Sequence, residues 1–174
     1  MNRESSTSFD SAQEHYWKEF QRLKYCACYT RRYRDHLAWW ETRIAIVRAI
    51  TSSSSIAGWV IWRQIAFVWA LLIAATQVVD ALQNVLPFQK RRESLSGWCN
   101  ELDLIFVMSQ RDWEATYAGR MTEERIVELT HQLRLDMQHL EMKFMPQGLP
   151  PVQKLVIVAE LDMVLFFEAR YSFK

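Results

Sequence analysis

Apolar positions recur at three- and four-residue spacing along most of the chain. Tyr16, Phe20, Leu23, Ala27, Thr30, Tyr33, Leu37 and Trp40 form one such stripe. Leu95, Trp98, Leu102, Ile105 and Met108 form a second, and Ile126, Leu129, Leu133, Met137, Leu140 and Phe144 a third. This spacing places side chains on one face of a helix, so three amphipathic helices are expected. A fourth helix, from about Val152 to Tyr171, follows the breaker cluster Met145–Pro151. Its apolar residues, Val156, Val158, Leu161, Leu165, Phe166 and Phe167, exceed what one packing face needs. Packing on the body and on a neighbouring protomer is therefore expected. Thr122 is a candidate N-cap, with Glu123 and Glu124 complementing the positive helix start, and the preceding helix is expected to end near Gly119.

The pattern changes between Ala49 and Phe88, where the only formal charges are Arg63 and Asp80. A bilayer core about 30 Å thick is crossed by roughly 20 apolar helical residues, so this stretch is long enough to cross twice. The expected architecture is all-α: a two-helix transmembrane hairpin whose long helices extend into a cytosolic helical bundle, assembled as an oligomer. Residues 1–10 are expected to be disordered, and 11–43 to form an amphipathic cytosolic helix. The hairpin occupies 44–88, with crossings at about 44–62 and 65–87, and 89–174 is a cytosolic helical region. Ser52–Ser55 weaken the first crossing as a lipid-facing surface but suit close helix contact. Two alternatives stand beside this reading. One is a single crossing from about Ile56 to Val79, and the other a soluble helical scaffold with a buried apolar hairpin.

Charge sets the expected orientation. Arg31, Arg32, Arg34 and Arg43 precede the first crossing, and Lys90, Arg91 and Arg92 follow the second. The turn carries only Arg63, so both ends are expected on the cytosolic side of the membrane. Trp59, Trp62, Arg63, Lys90, Arg91 and Arg92 are the candidate membrane-interface residues. The basic residues, among them Arg31, Arg32 and Arg34, suit anionic lipid. Arg48 and Asp80 lie about fifteen and seventeen residues from the turn, hence roughly 23–25 Å below it, where they either contact each other, within or between protomers, or each reach interfacial water. Polar stripes made by Arg48, Thr51, Ser52 and Ser55, and by Thr76, Gln77, Asp80, Gln83 and Asn84, mark interhelix contacts or a pore lining.

Composition narrows the chemistry. The near-zero net charge of +1 argues against a general nucleic-acid binder, and no nucleic-acid motif is present. Few Gly and Pro, four of each, disfavour a β-rich fold. Cys26, Cys28 and Cys99 make no disulfide framework and are expected to be inert in a reducing compartment. His15, His36, His131 and His139 are scattered; the last two are eight apart, too far for a helical i, i+4 chelate. No phosphate loop, nucleophile elbow or zinc-protease motif occurs. Neither an enzyme nor a metal or cofactor site is expected.

The order of parts resembles the SLATT group of bacterial two-transmembrane effectors. The resemblance is carried by Arg31–Trp40, Ile44–Trp62, Ile65–Phe88, Lys90–Arg92 and the tail Glu168-Ala169-Arg170-Tyr171. It implies an effector of antiviral defence that oligomerises in the inner membrane and depolarises it through a pore. Such effectors are often encoded beside a nucleotide-second-messenger synthase or a CRISPR system. The implied trigger is a partner protein, a nucleoprotein complex or a nucleotide second messenger acting on the cytosolic helices. The alternative within the same architecture is a membrane-anchored helical adaptor without a pore.

Overall fold

The computed structural model describes residues 2–54, 74, 77 and 88–171. These residues form four helices and no strand: α1 (Asn2–Ser54), α2 (Phe88–Tyr117), α3 (Glu123–Phe144) and α4 (Gln153–Tyr171). The all-helical architecture expected from the spacing is present. No helix among the described residues is long and apolar enough to cross a membrane. Most of the near-uncharged stretch lies outside the described residues, apart from the end of α1, the start of α2, and the helical positions Ala74 and Gln77.

The chain divides into two compact units. One comprises Met1–Tyr33 and Ser94–Lys174, the other Arg34–Glu93. In the first unit the stripe on α1 is the core: Tyr16, Phe20, Leu23, Ala27, Thr30 and Tyr33 are all buried. The start of α1 differs from the sequence expectation, because the helix begins at Asn2 within the segment expected to be disordered. Neither Gly nor Pro interrupts residues 2–11, and Ala12 and Tyr16 are buried just beyond. Once such a helix is anchored, adding residues needs no new nucleus.

Each partner helix meets α1 differently. Phe20 stacks on Phe106 of α2 with ring centroids 5.0 Å apart. The buried hydroxyl of Tyr16 donates to the carbonyl of Ser109 at 3.0 Å. On α2 the expected stripe holds for Leu95, Trp98 and Leu102 but drifts beyond them. Phe106, Ser109 and Trp113 are buried there, and Met108 is exposed. The steps from Leu102 to Ile105 and on to Met108 are three residues each, and three residues turn a helix only about 300°, so two in a row leave the buried face. On α3, Ile126, Leu133 and Leu140 are buried as the spacing predicts, and Leu129, Met137 and Phe144 are half-buried.

The helix ends follow local rules. Gly119 has φ +66°; its N–H donates to the carbonyl of Thr116, and that of Arg120 to Ala115. This 6→1 and 5→2 pair is the Schellman closure, which needs a left-handed residue at that place. Thr122 caps α3 as expected, its hydroxyl accepting from the N–H of Arg125 at 3.4 Å. Inside α2, Gly97 leaves room for the Phe144 ring; a Cβ there would lie 2.8 Å from it.

The breaker segment before α4 is held by one side chain. The hydroxyl of Tyr29 donates to the carbonyl of Pro150 at 2.8 Å and accepts from the N–H of Val152 at 3.1 Å. Neither proline has an N–H, so Val152 offers the first donor after them. Tyr29→Phe removes both bonds while keeping the ring, and we expect it to cost about 1–2 kcal/mol. Urea unfolding of the two proteins measures the difference; equal midpoints would show that Tyr29 does not hold the α4 entry.

Candidate functional site

Unit 34–93 carries an unusual surface on α1. Trp39 and Trp40 are 48% and 50% exposed, and Ile46 is exposed as well. Adjacent residues on a helix are about 100° apart, so Trp39 and Trp40 cannot both face one core. The guanidinium of Arg43 lies over the Trp39 ring, 4.6 Å from its centroid. The indole N–H of Trp40 donates to Nε2 of His36 at 3.1 Å. Arg92 of α2 pairs with Glu41 at 2.8 Å, and Arg91 beside it is exposed. Two amphipathic rings with cations among them make the aromatic and basic mixture found at membrane–water boundaries. The spacing predicts Trp40 on the core stripe, but it is half-exposed; the Trp-Trp dipeptide itself requires one of the pair to face outward.

The residues named from sequence fall into three groups. Arg48, Thr51 and Ser52 lie on α1, and Lys90, Arg91 and Arg92 on α2, so both sets are helical. Gln77 is helical and exposed. Ser55, Trp59, Trp62, Arg63, Thr76, Asp80, Gln83 and Asn84 lie outside the described residues, and the candidate Arg48–Asp80 contact with them.

The arginines assigned to lipid have partners in the chain. Arg31 makes two bonds to Asp103, at 3.0 and 2.7 Å. Arg32 likewise grips Asp162 at 2.7 and 2.9 Å, joining α1 to α4. Hydrogen bonding from Arg32 holds the Asp162 carboxyl below its ordinary pKa. Arg34 pairs with Asp35 at 2.9 Å. The partners are 72 and 130 residues away for the first two, beyond the reach of any local motif.

Two concavities open on the unit made of 1–33 and 94–174. One, of about 530 Å³, lies over Trp17, Trp113, Phe167 and Tyr171, with Asp10, Glu14 and Glu168 at its rim. Trp17 touches the other three rings, at centroid distances of 4.6, 5.0 and 5.5 Å. Rings this close pack on one another and leave no slot between their faces. The ring cluster beneath the concavity therefore ties α4 to α1 and α2.

The other groove, of about 420 Å³, is lined by Glu19, Arg22, Cys26, Trp98, Arg134 and Glu141 among others. Glu19 is buried, and one of its oxygens accepts from Arg134 of α3 at 2.8 Å. Arg22 stands 3.7 Å from the other oxygen, within ion-pair range but too far to hydrogen-bond. The sequence stripe gave no sign of Glu19, an acid on the edge of the apolar face. Burial pushes the Cys26 thiol up to about 11, and that of Cys28 also upward. Both are held as thiols at neutral pH, which removes their nucleophilic form. Among the described residues no His, Cys, Asp and Glu group is placed to hold a metal ion.

Comparison with family models, with curated proteins and with solved structures finds no match to this chain.

The raised Cys26 pKa sets a measurable rate. At pH 8 its thiolate fraction is about a hundredfold below that of an unfolded cysteine, so alkylation slows by about that factor. Because the folded value lies above the unfolded 9.0, the stability it contributes is complete below pH 9 and lost as pH rises toward about 11. Iodoacetamide labelling of the Cys26 peptide, followed by mass spectrometry, checks this; labelling as fast as in urea would refute it.

Proposed function

We propose that the chain is a membrane effector of bacterial antiviral defence that oligomerises in the inner membrane and forms or gates a pore. The observation that carries the membrane part is the Trp39–Trp40 pair. Two half-exposed indoles with Arg43 among them sit on the helix that runs into the near-uncharged stretch. Rings of this kind gain from the headgroup region, where one edge is apolar and the other wet. Arg91 and Arg92 supply a matching basic flank on α2, which supports a cytosolic side for both termini.

The pore rests on chemistry within the stretch itself. Polar residues at membrane depth face protein or water, and the sequence spacing of Thr76, Gln77, Asp80, Gln83 and Asn84 is that of one face of a helix. One hairpin cannot enclose water, so conduction requires several copies. The antiviral setting comes from the resemblance in the order of parts. The partners that follow are further copies, anionic lipid and a trigger acting on the cytosolic helices. That trigger is a defence-system protein, a nucleoprotein complex or a nucleotide second messenger.

Membrane fractionation with carbonate tests the anchor, and a potential-sensitive dye on overproduction tests the pore. We expect retention against carbonate, loss of potential, and weaker loss with Asp80→Leu or Gln77→Leu at equal membrane abundance. Release by carbonate would sink the membrane reading. Retention with an undisturbed potential would leave an anchored adaptor instead. Trp39→Ser combined with Trp40→Ser should raise the fraction released by at least twofold.

A further inference from the structure

The outward face of α4 is apolar. Ile157, Leu161 and Leu165 are 57%, 55% and 53% exposed, and Val158 and Val164 lie exposed beside them. The opposite face is spent on the body: Ala159 and Phe167 are buried, and Asp162 is tied to Arg32. A helix apolar on both faces is stable in water only when both are covered.

The order of residues selects the cover. About a two-fold centred on Leu161, an antiparallel copy sets Ile157 against Leu165, Val158 level with Val164, and Leu161 against itself. The same operation sets Lys154 opposite Glu168 at both ends of the patch. A parallel pairing would instead oppose lysine to lysine and glutamate to glutamate, which costs affinity. Glu168 already interacts within its own chain, and the pairing asks only for its charge. Glu160 lies to the side of the stripe and does not interrupt it.

We infer that α4 is a self-association surface on which a second copy of this chain docks antiparallel, with Leu161 on the two-fold axis. The five side chains remove on the order of 400 Å² per copy from water, which is below a standard interface and gives a concentration-dependent dimer. The surface goes beyond the reading above, since it needs neither membrane nor pore.

Disulfide trapping of the full chain, with Cys26, Cys28 and Cys99 replaced by alanine, tests the register. Leu161→Cys should self-link under mild oxidation. Chains carrying Lys154→Cys mixed with chains carrying Glu168→Cys should link at least tenfold more than either alone. Self-linking at Lys154→Cys equal to that at Leu161→Cys would overturn the antiparallel register, and no linking at Leu161→Cys would overturn the contact. Sedimentation of Leu161→Lys with its native cysteines is the second measurement. A dimer dissociation constant at least tenfold higher, with unchanged circular dichroism, is expected; an unchanged constant refutes the surface. These results stand whether or not carbonate releases the chain.

Discussion

Phe20 lies flat on Phe106 and edge-on to Phe167, so one ring on α1 meets both α2 and α4. This sharing is the constraint on which the described body depends. A single stripe of α1 must serve three partners, because Tyr16, Phe20 and Leu23 are fully buried while α3 also reaches α1 through Arg134 and Glu19. Large flat rings suit that task. They bury much area per residue and offer both a face and an edge. An aliphatic side chain at position 20 would keep hydrophobic burial but lose the stacked and perpendicular contacts that set two helices at once.

Ion pairs add orientation around that core. Arg31 and Arg32 are neighbours in sequence but lie on different sides of α1, and they bind Asp103 of α2 and Asp162 of α4. Both pairs are half-exposed and so contribute little energy, but Arg32 meets Asp162 with two parallel N–H···O bonds, which fix direction as well as distance, while one nitrogen of Arg31 reaches both Asp103 oxygens. The buried Glu19 is different. Its charge is met by Arg134 at 2.8 Å, and removing that arginine would leave an ion in a poorly hydrated place. These pairs join α2, α3 and α4 to the same turns of α1 that carry the stripe.

Surface character separates the two units. The described part of Arg34–Glu93 shows indoles and guanidinium groups side by side, a mixture matched to a boundary between water and lipid. The other unit shows an apolar stripe on α4, bounded by Lys154 and Glu168, which is matched to protein. Each surface makes its own physical demand.

The local sequence pattern determined the helical class, the buried stripe from Tyr16 to Tyr33 on α1, the burial of Ile126, Leu133 and Leu140 on α3, the Thr122 cap and the break before α4. Each of these follows from spacing or from backbone chemistry within a few residues. It also showed that α4 has more apolar surface than one face can use. Sequence did not reveal that Arg31 and Arg32 are spent on Asp103 and Asp162, or that Glu19 is buried against Arg134. Nor did it show that Tyr29 clamps Pro150 and Val152, or that Trp40 leaves the core stripe where Tyr33 stays. Those outcomes join residues a hundred or so positions apart, or depend on where a partner helix ends. A pattern along one helix says which face is apolar; only the arrival of the other helices decides how far along that face is covered.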